Sequence, residues 1–547
     1  YGGFCGTAFA CESNKIDVLG DGTQCELAKF SITTTELTAD TEFRFYMSAS
    51  GTFYVDWGDG TVDTITRTNT TETLYSHTFT TSGTKTIRFG GRATRYSTIS
   101  IAAIQFSQND ATPKLVVAIS GSIGQIFSTL GQSNGQQPRF YNTFRSTQIE
   151  SVPENLFSGI NGQAASYMFK STFESTRITN IPENIFINIH TCAPGMFSQT
   201  FASTPIQNIP ENLFSYITSS PCQSMFAQTF LGCFNLRNLP ENLFVNIKGV
   251  ASGLFNGTFY SCINLESIPS KLFANINGVA SHLFYETFRS CKSLRSIPSG
   301  LFAGVTGGAQ DVFSATFLDC TSLTSLPEKL FANIKNTGPI MFHYTFSDCT
   351  SLSGYIPPSM FAGLIANNSP YAMDMMGAMF VGTALATTCP PGTVQFVTGY
   401  EEYWDGHVSC VDENLVCNSG EYFPAHWYEC KTCPENNYCV GGTYPYSETV
   451  SAGATQCPHN GYSNTGASSV AQCYRILHVG NNELFLRGAK KTTPSLNIDI
   501  NNDGVPDFFG NMTTADVPMN SGTARKLKVS YDGVTYSVYD DTVTVPE

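Results

Sequence analysis

Between Cys233 and Cys349 a cysteine recurs every twenty-nine residues, at Cys233, Cys262, Cys291, Cys320 and Cys349. Each closes the same phrase: Thr-Phe-x-x-Cys, then x-x-Leu-x-x-(Ile/Leu)-Pro, then x-x-(Leu/Met)-Phe. The last copy carries one extra residue before its proline. A fixed period of this size predicts a solenoid, because one such unit cannot bury its own apolar side and stacked neighbours can. A solenoid presents a long regular face, which points to binding or assembly rather than to catalysis.

The phenylalanine of the Thr-Phe pair stands at Phe144, Phe173, Phe201, Phe230, Phe259, Phe288, Phe317 and Phe346, with a degenerate ninth copy near Phe380. Phe-x-x-x-Phe-x-x-Cys places apolar residues at i, i+4 and i+7, which predicts a short helix in each copy. The following Leu-x-x-Ile-Pro is too short for a helix, and its proline disfavours one. It reads as a short strand or extended turn.

Thr258-Phe259-Tyr260-Ser261-Cys262-Ile263-Asn264-Leu265-Glu266-Ser267-Ile268-Pro269 resembles the BspA-type leucine-rich repeat. The resemblance covers roughly residues 140–385. It implies a secreted or surface protein that binds matrix, other cells or glycans. The period is longer than is usual for that family, so an extended loop after Leu-Phe is expected.

The periodic cysteines have two readings: cross-links or metal ligands between copies, or small buried thiols. The first three copies put Thr147, Thr176 and Thr204 in their place and are one residue shorter between that position and the next Ile, which favours the buried thiol, since cysteine is among the most buried residue types. Cys192 and Cys222 differ. Both precede a Met-Phe pair in adjacent copies, so neighbouring loops and a disulfide are expected. The strand segment exposes Gln207 and Asn208, Arg237 and Asn238, Glu266 and Ser267, Arg295 and Ser296, then Thr324 and Ser325. If this face binds a partner, these side chains meet it. Their mixed charge argues against an anion-specific groove.

The 547 residues carry a net charge of −14 and a pI near 5.0, which argues against nucleic acid as a partner, since phosphate is held by clustered Lys and Arg. Only 13% of residues are charged. Eighteen cysteines point to an oxidising compartment. No run of eighteen apolar residues is present, so no transmembrane segment is expected. The chain opens on Tyr1 rather than Met and is read as mature, with a signal peptide removed, hence extracellular or at the cell surface. Its last residues are Thr544, Val545, Pro546 and Glu547, in which no lipid or sorting signal is visible.

Residues 1–30 hold Cys5, Cys11 and Cys25, an odd number. Either two pair locally and one thiol stays free, or one pairs with another domain or chain. Residues 31–92 alternate like strands. Trp57-Gly58-Asp59-Gly60, then His77-Thr78-Phe79, then Gly83-x-x-x-Ile87 resembles a PKD-type, immunoglobulin-like β-sandwich. The resemblance implies an extracellular spacer or adhesion module. Asp59 and His77 read as a turn aspartate and a structural histidine.

Residues 386–475 contain Cys389, Cys410, Cys417, Cys430, Cys433, Cys439, Cys457 and Cys473. An even number in a short Gly- and Tyr-rich stretch predicts a disulfide framework whose pairing the sequence leaves open. Cys430-x-x-Cys433 has no second ligand pair, so zinc is not expected. The run from Cys433 to Cys439, with Cys457-Pro458, resembles ephrin-receptor-type cysteine-rich repeats, which implies a stalk or protein-binding module. Residues 476–547 have strand character. Lys526–Tyr531, Asp532-Gly533 and Val534–Tyr539 predict a hairpin with a two-residue turn and an exposed edge. Asp499, Asn501, Asp503, Val505 and Asp507, with Gly504 at position six, fit a calcium loop and resemble those of thrombospondin-type and dockerin-like repeats. Without metal the same residues would form an Asx-rich turn. Asn69, Asn256, Asn367 and Asn511 stand in Asn-x-Ser/Thr sequons.

The expected fold is multidomain and mainly β with α/β repeats. It comprises an N-terminal segment (1–30), a PKD-like sandwich (31–107), a leucine-rich-repeat solenoid with its cap (108–385), a disulfide module (386–475) and a small β domain (476–547). No metalloprotease, nucleophile-elbow, phosphate-loop or dinucleotide motif is present, so no enzyme is expected. The expected function is a secreted or surface adhesin binding extracellular proteins or glycans. The alternative is a structural subunit of an extracellular filament or surface layer that assembles with copies of itself through its terminal segments.

Overall fold

The computed structural model describes residues 11–12, 14–18, 24–107, 111–129, 136–366, 377–396, 406–425, 429–447, 449–457 and 463–473. It also describes the backbone of five further strands between 476 and 543. The fold is mainly β. Among the described residues, helix is confined to α1 (Thr112–Leu115), α2 (Ala362–Ala366) and short 3-10 turns. The chain divides into two compact units: residues 1–387 with 399–408, and residues 388–398 with 409–547.

The first unit begins with nine strands: β1 (Lys15–Asp17), β2 (Cys25–Leu37), β3 (Thr41–Met47), β4 (Ser50–Asp56), β5 (Val62–Arg67), β6 (Thr73–Phe79), β7 (Gly83–Arg95), β8 (Ile104–Gln105) and β9 (Val116–Gly121). One sheet runs β1-β2-β7-β4-β5, with β9 also on β2; the other runs β6-β3-β8. Alternation explains both. Phe43, Phe45 and Met47 on β3 are buried, as are Phe53 and Val55 on β4 and Ile87 and Phe89 on β7, because successive side chains of a strand face opposite ways. The two sheets meet through rings, with Phe45 edge-on to Phe89 at 5.6 Å and Phe43 edge-on to Trp57 at 6.3 Å. At Gly58 the chain has φ +76, and a Cβ there would lie 2.5 Å from the Thr86 carbonyl oxygen. The turn therefore requires glycine.

Strand β9 lies in the segment expected to cap the repeats, yet it pairs with β2 of the sheet. It also starts the repeats: the Gln148 N–H donates to the Val116 carbonyl. The expected boundary at 107/108 thus crosses a hydrogen-bonded sheet. The core crosses it too, since Phe144 lies 5.9 Å from Phe30 and is stacked 5.8 Å from Phe106.

From Phe140 onward three columns of phenylalanine stack copy on copy. Phe144 to Phe380 follow one another at 5.5–5.9 Å with interplanar angles of 1–10°. Phe140 to Phe342 form a second column, and Phe157 to Phe361 a third. Rings of the last two columns meet at steep angles, as Phe255 and Phe273 do at 4.7 Å and 52°. Offset and tilted ring pairs add about 0.5–1.5 kcal/mol beyond the area they bury.

The helix expected at Phe-x-x-x-Phe-x-x-Cys is absent; the chain there is a spiral of turns. His282, Glu286 and Ser290 have φ between +54 and +58, and Asp311, Ala315 and Asp319 repeat this one copy later. A left-handed residue at every fourth position breaks an α-helix. Backbone bonding alternates instead. The Phe230 N–H reaches the Thr258 carbonyl of the next copy at 2.9 Å, while the Thr229 N–H bonds back to the Phe226 carbonyl in its own turn. Four residues per turn mimics 3.6, so i and i+4 share a side in both arrangements. The Leu-x-x-Ile segments are extended rungs. The Glu266 N–H donates to the Arg237 carbonyl at 2.9 Å, and Asn180 and Asn208 form a parallel bridge. The last rungs are β10 (Ser353–Gly354) and β11 (Ala384–Leu385), paired in parallel. Beyond them the Val408 N–H donates to the Ala386 carbonyl, so residues expected in the disulfide module close this array.

In the second unit the strands are two to four residues long up to residue 456. They are β12 (Thr393–Gln395), β13 (Cys410–Asp412), β14 (Asn414–Cys417), β15 (Glu421–Tyr422), β16 (Lys431–Thr432), β17 (Asn437–Tyr438), β18 (Gly442–Pro445) and β19 (Thr455–Gln456). Disulfides join Cys389–Cys410, Cys417–Cys430, Cys433–Cys439 and Cys457–Cys473, each cysteine to the next in sequence. The two cysteines of Cys430-x-x-Cys433 therefore belong to different bridges.

A five-stranded sheet follows: β20 (Ile476–Val479), β21 (Asn482–Phe485), β22 (Asn497–Asp499), β23 (Arg525–Ser530) and β24 (Ser537–Val543), in the order β21-β20-β24-β23-β22. The expected hairpin is β23–β24, but Val529 pairs with Ser537, one residue beyond the register a turn at Asp532-Gly533 would set. Neither strand is an edge. Strand β23 also pairs with β22 and β24 with β20, which corrects the exposed edge expected there.

Candidate binding face

The rungs place the variable side chains of successive copies in register. Gln207, Asn208, Arg237, Asn238, Ser267, Arg295, Ser296, Thr324 and Ser325 are exposed, and Glu266 is half-buried. The leucines and isoleucines between them, such as Leu265 and Ile268, are buried. Arg237 Nη1 lies 2.6 Å from Glu266 Oε1 across two copies, with side-chain exposures of 66% and 43%. Water screens such a pair, so it orders the surface rather than stabilising the fold. The Ser267 hydroxyl approaches Asn238 Oδ1 at 3.5 Å. Arg295 has no ion-pair partner among the described residues. The face offers donors, acceptors and both charges on a regularly hydrogen-bonded backbone.

Behind it lie the periodic cysteines. Cys233, Cys262, Cys291, Cys320 and Cys349 are free and fully buried. Each thiol donates to the carbonyl of a phenylalanine in the preceding copy: Cys233 to Phe201, Cys262 to Phe230 and Cys349 to Phe317, at 3.1–3.2 Å. Thr147, Thr176 and Thr204 instead donate to the phenylalanine carbonyl of their own copy. Both residue types thus bring a donor to a buried carbonyl. Burial pushes the Cys233 thiol up to about 12, against which hydrogen bonding to Thr204 acts. Burial likewise raises Cys262 and Cys320. Cys233, Cys262 and Cys320 therefore stay protonated and unreactive near neutrality. A second buried file, Thr172 to Thr345, does the same work: Thr258 Oγ1 donates to the Phe226 carbonyl at 2.9 Å.

Cys192 and Cys222 form a disulfide between adjacent copies, with Cα atoms 5.8 Å apart. Cys11 pairs with Cys25 at the start of β2. Cys5 lies outside the described residues. The calcium-type positions Asn501, Asp503, Val505 and Asp507 lie outside them as well. Asp499 ends β22, where it pairs with Lys528.

The sequence reading passed over a cluster on the turn side of the copies. Arg289 lies over the Tyr260 ring at 5.1 Å and pairs with Glu286. His282 Nε2 is 3.3 Å from Asp311 Oδ2, which is 8% exposed. Burial, then Glu286 and Asp311, raise the Tyr285 hydroxyl. The left-handed positions of the two preceding copies carry Ser, Gln or Gly, such as Ser224, Gln228 and Gly253, so a column-wise alignment of the copies would have shown where charges enter.

Asp59 and His77 do meet, at 2.7 Å. His77 is stacked on Trp57 at 4.6 Å, and Asp59 accepts from the Thr61 hydroxyl and N–H. Burial raises the Asp59 carboxyl, but the hydrogen bonds from Thr61 and His77 outweigh it and hold it below the usual range. The pair fastens a turn to a strand.

No family model, curated protein or solved structure matches this chain. The disulfides are consistent with an extracellular protein. Among the described residues no helix is long and apolar enough to cross a membrane.

Proposed function

We propose that this chain is a secreted or cell-surface, non-enzymatic adhesin. Its repeats form a leucine-rich-repeat-like solenoid of BspA type, preceded by a PKD-like sandwich and followed by an ephrin-receptor-like disulfide module. The rung face from Gln207 to Ser325 meets an extracellular protein or glycan. One observation carries this reading: an interior of repeated Phe, Thr and Cys supports exposed rung positions that differ from copy to copy. A selective surface needs that separation between a constant scaffold and variable contacts. Calcium at Asp499, Asn501, Asp503, Val505 and Asp507 belongs to the same proposal, and titration calorimetry after chelation tests it.

The face is tested by screening the whole chain against matrix proteins, mucins and a glycan array, beside a variant with Arg237, Glu266 and Arg295 all replaced by alanine. Selective binding lost in the variant, with unchanged melting, supports the reading. Binding that survives these changes, or no binding at all, overturns it. The alternative, a filament or surface-layer subunit, draws less support because the terminal hairpin offers no free edge.

A further inference from the structure

Among the described residues, every sheet margin of the first unit except one is short, charged or covered; β1, for instance, has only three residues, of which Lys15 and Asp17 are charged. The β9 side of the large sheet continues into the repeats through Gln148, and the far end of the repeats is covered by Val408. Strand β8 is two residues long. Strand β5 is an edge but carries Asp63 and Arg67, and charges on an edge oppose strand addition.

Strand β6 differs from all of these. It is the terminal strand of β6-β3-β8, and its seven residues, Thr73 to Phe79, pair with β3 without a bulge. It contains no Lys, Arg, Asp, Glu or Pro. Leu74, Ser76 and Thr78 are exposed, Leu74 to 42%. In an antiparallel sheet, alternate residues of an edge strand turn their peptide groups away from the neighbour. Among the described residues nothing bonds to those groups between Leu74 and Thr78.

We propose that two copies of this chain join edge to edge through β6, antiparallel about a two-fold axis at Ser76. The symmetry sets Leu74 against Thr78 of the second copy, Tyr75 against His77, and Ser76 against itself. These pairs bring no like charges together, and a two-fold contact needs only this one self-complementary patch. The charged residues of the same outer face, Glu42 and Arg44, sit one strand back on β3 and are paired with each other. The two small sheets become one six-stranded sheet, and the repeat arrays of both copies stay free to bind.

A contact of one strand pair is small, so the dimer is weak and must be sought over a concentration series. Sedimentation equilibrium of the full chain is expected to show a reversible monomer–dimer mixture. The double variant Leu74→Lys, Thr78→Lys changes exposed positions only and is expected to weaken association at least tenfold. In the Ser76→Cys variant, mild oxidation is expected to give a covalent dimer whose linked peptides both contain position 76; the unsubstituted chain controls for Cys5. A chain that stays monomeric throughout, a dimer untouched by the two lysines, or no disulfide between the two substituted positions overturns the proposal.

Discussion

The same residue meets opposite fates in two regions. In the repeats, five cysteines are reduced, buried and used as hydrogen-bond donors. Between residues 389 and 473, all eight are oxidised. The difference follows from how much apolar surface each region can bury. Each copy contributes three stacked phenylalanines, and a cross-link adds little to a core that large. The later region has strands of two to four residues and few buried side chains, the condition under which disulfides replace a core.

That contrast predicts a separation under reduction, the largest effect expected. Each native disulfide of a small domain is worth about 2–4 kcal/mol, so losing four should unfold residues 389–473. Hydrogen exchange should then show fast amides there and slow ones from Phe230 to Phe346. Parallel loss of protection in both regions would break the contrast. Next in size, Phe259→Ala opens a hole in a ring column, and such truncations cost about 3–5 kcal/mol. Chemical denaturation should register it, with the loss of protection centred on the copies beside Phe259, because each copy contacts only its neighbours.

The two regions were also unequally legible. The period of the repeats, their buried faces and their exposed rung residues could be read directly, because stacking forces one residue type into one place in every copy. The turns could not: Phe284 and Phe288 are four apart in a spiral of turns as they would be in a helix, and Ser290 or Asp319 gives no warning of a left-handed backbone. The thiols were legible as buried but not as donors, since the role depends on a carbonyl thirty-two residues back in the chain. In the disulfide region the cysteine count showed the framework, while the pairing depended on short strands that no periodicity marks. The turn-side cluster of Tyr260, His282, Glu286, Arg289 and Asp311 was missed because its members belong to three copies.

Two smaller effects sharpen the thiol's part in the contrast. Cys291→Val keeps the volume but removes one of two donors to the Phe259 carbonyl, which keeps the Cys262 N–H, and should cost about 0.5–1.5 kcal/mol. Cys291→Thr keeps a donor in the same pocket, aimed on the pattern of Thr204 at the Phe288 carbonyl of its own copy, and should cost less; equal losses would mean that the thiol only fills space. Alkaline pH probes the same group. The folded value of Cys233 is raised above its unfolded one, so its contribution is complete below about pH 9 and is lost as pH climbs toward about 12. Over that window stability should fall by about 1.4 kcal/mol per pH unit for this thiol, and Cys233→Thr should flatten the slope.

The smallest effect is the most telling for function. Arg237→Ala breaks an ion pair whose two side chains are open to water, and such pairs contribute about 0–1 kcal/mol. The melting curve should therefore barely move. The interior beneath, from Leu236 to Leu239, makes no use of the guanidinium. If the face exists to be recognised, the substitution should alter ligand binding without altering stability. A large stability loss would place Arg237 in the scaffold rather than on the working face, and the division between constant interior and variable surface would have to be redrawn there.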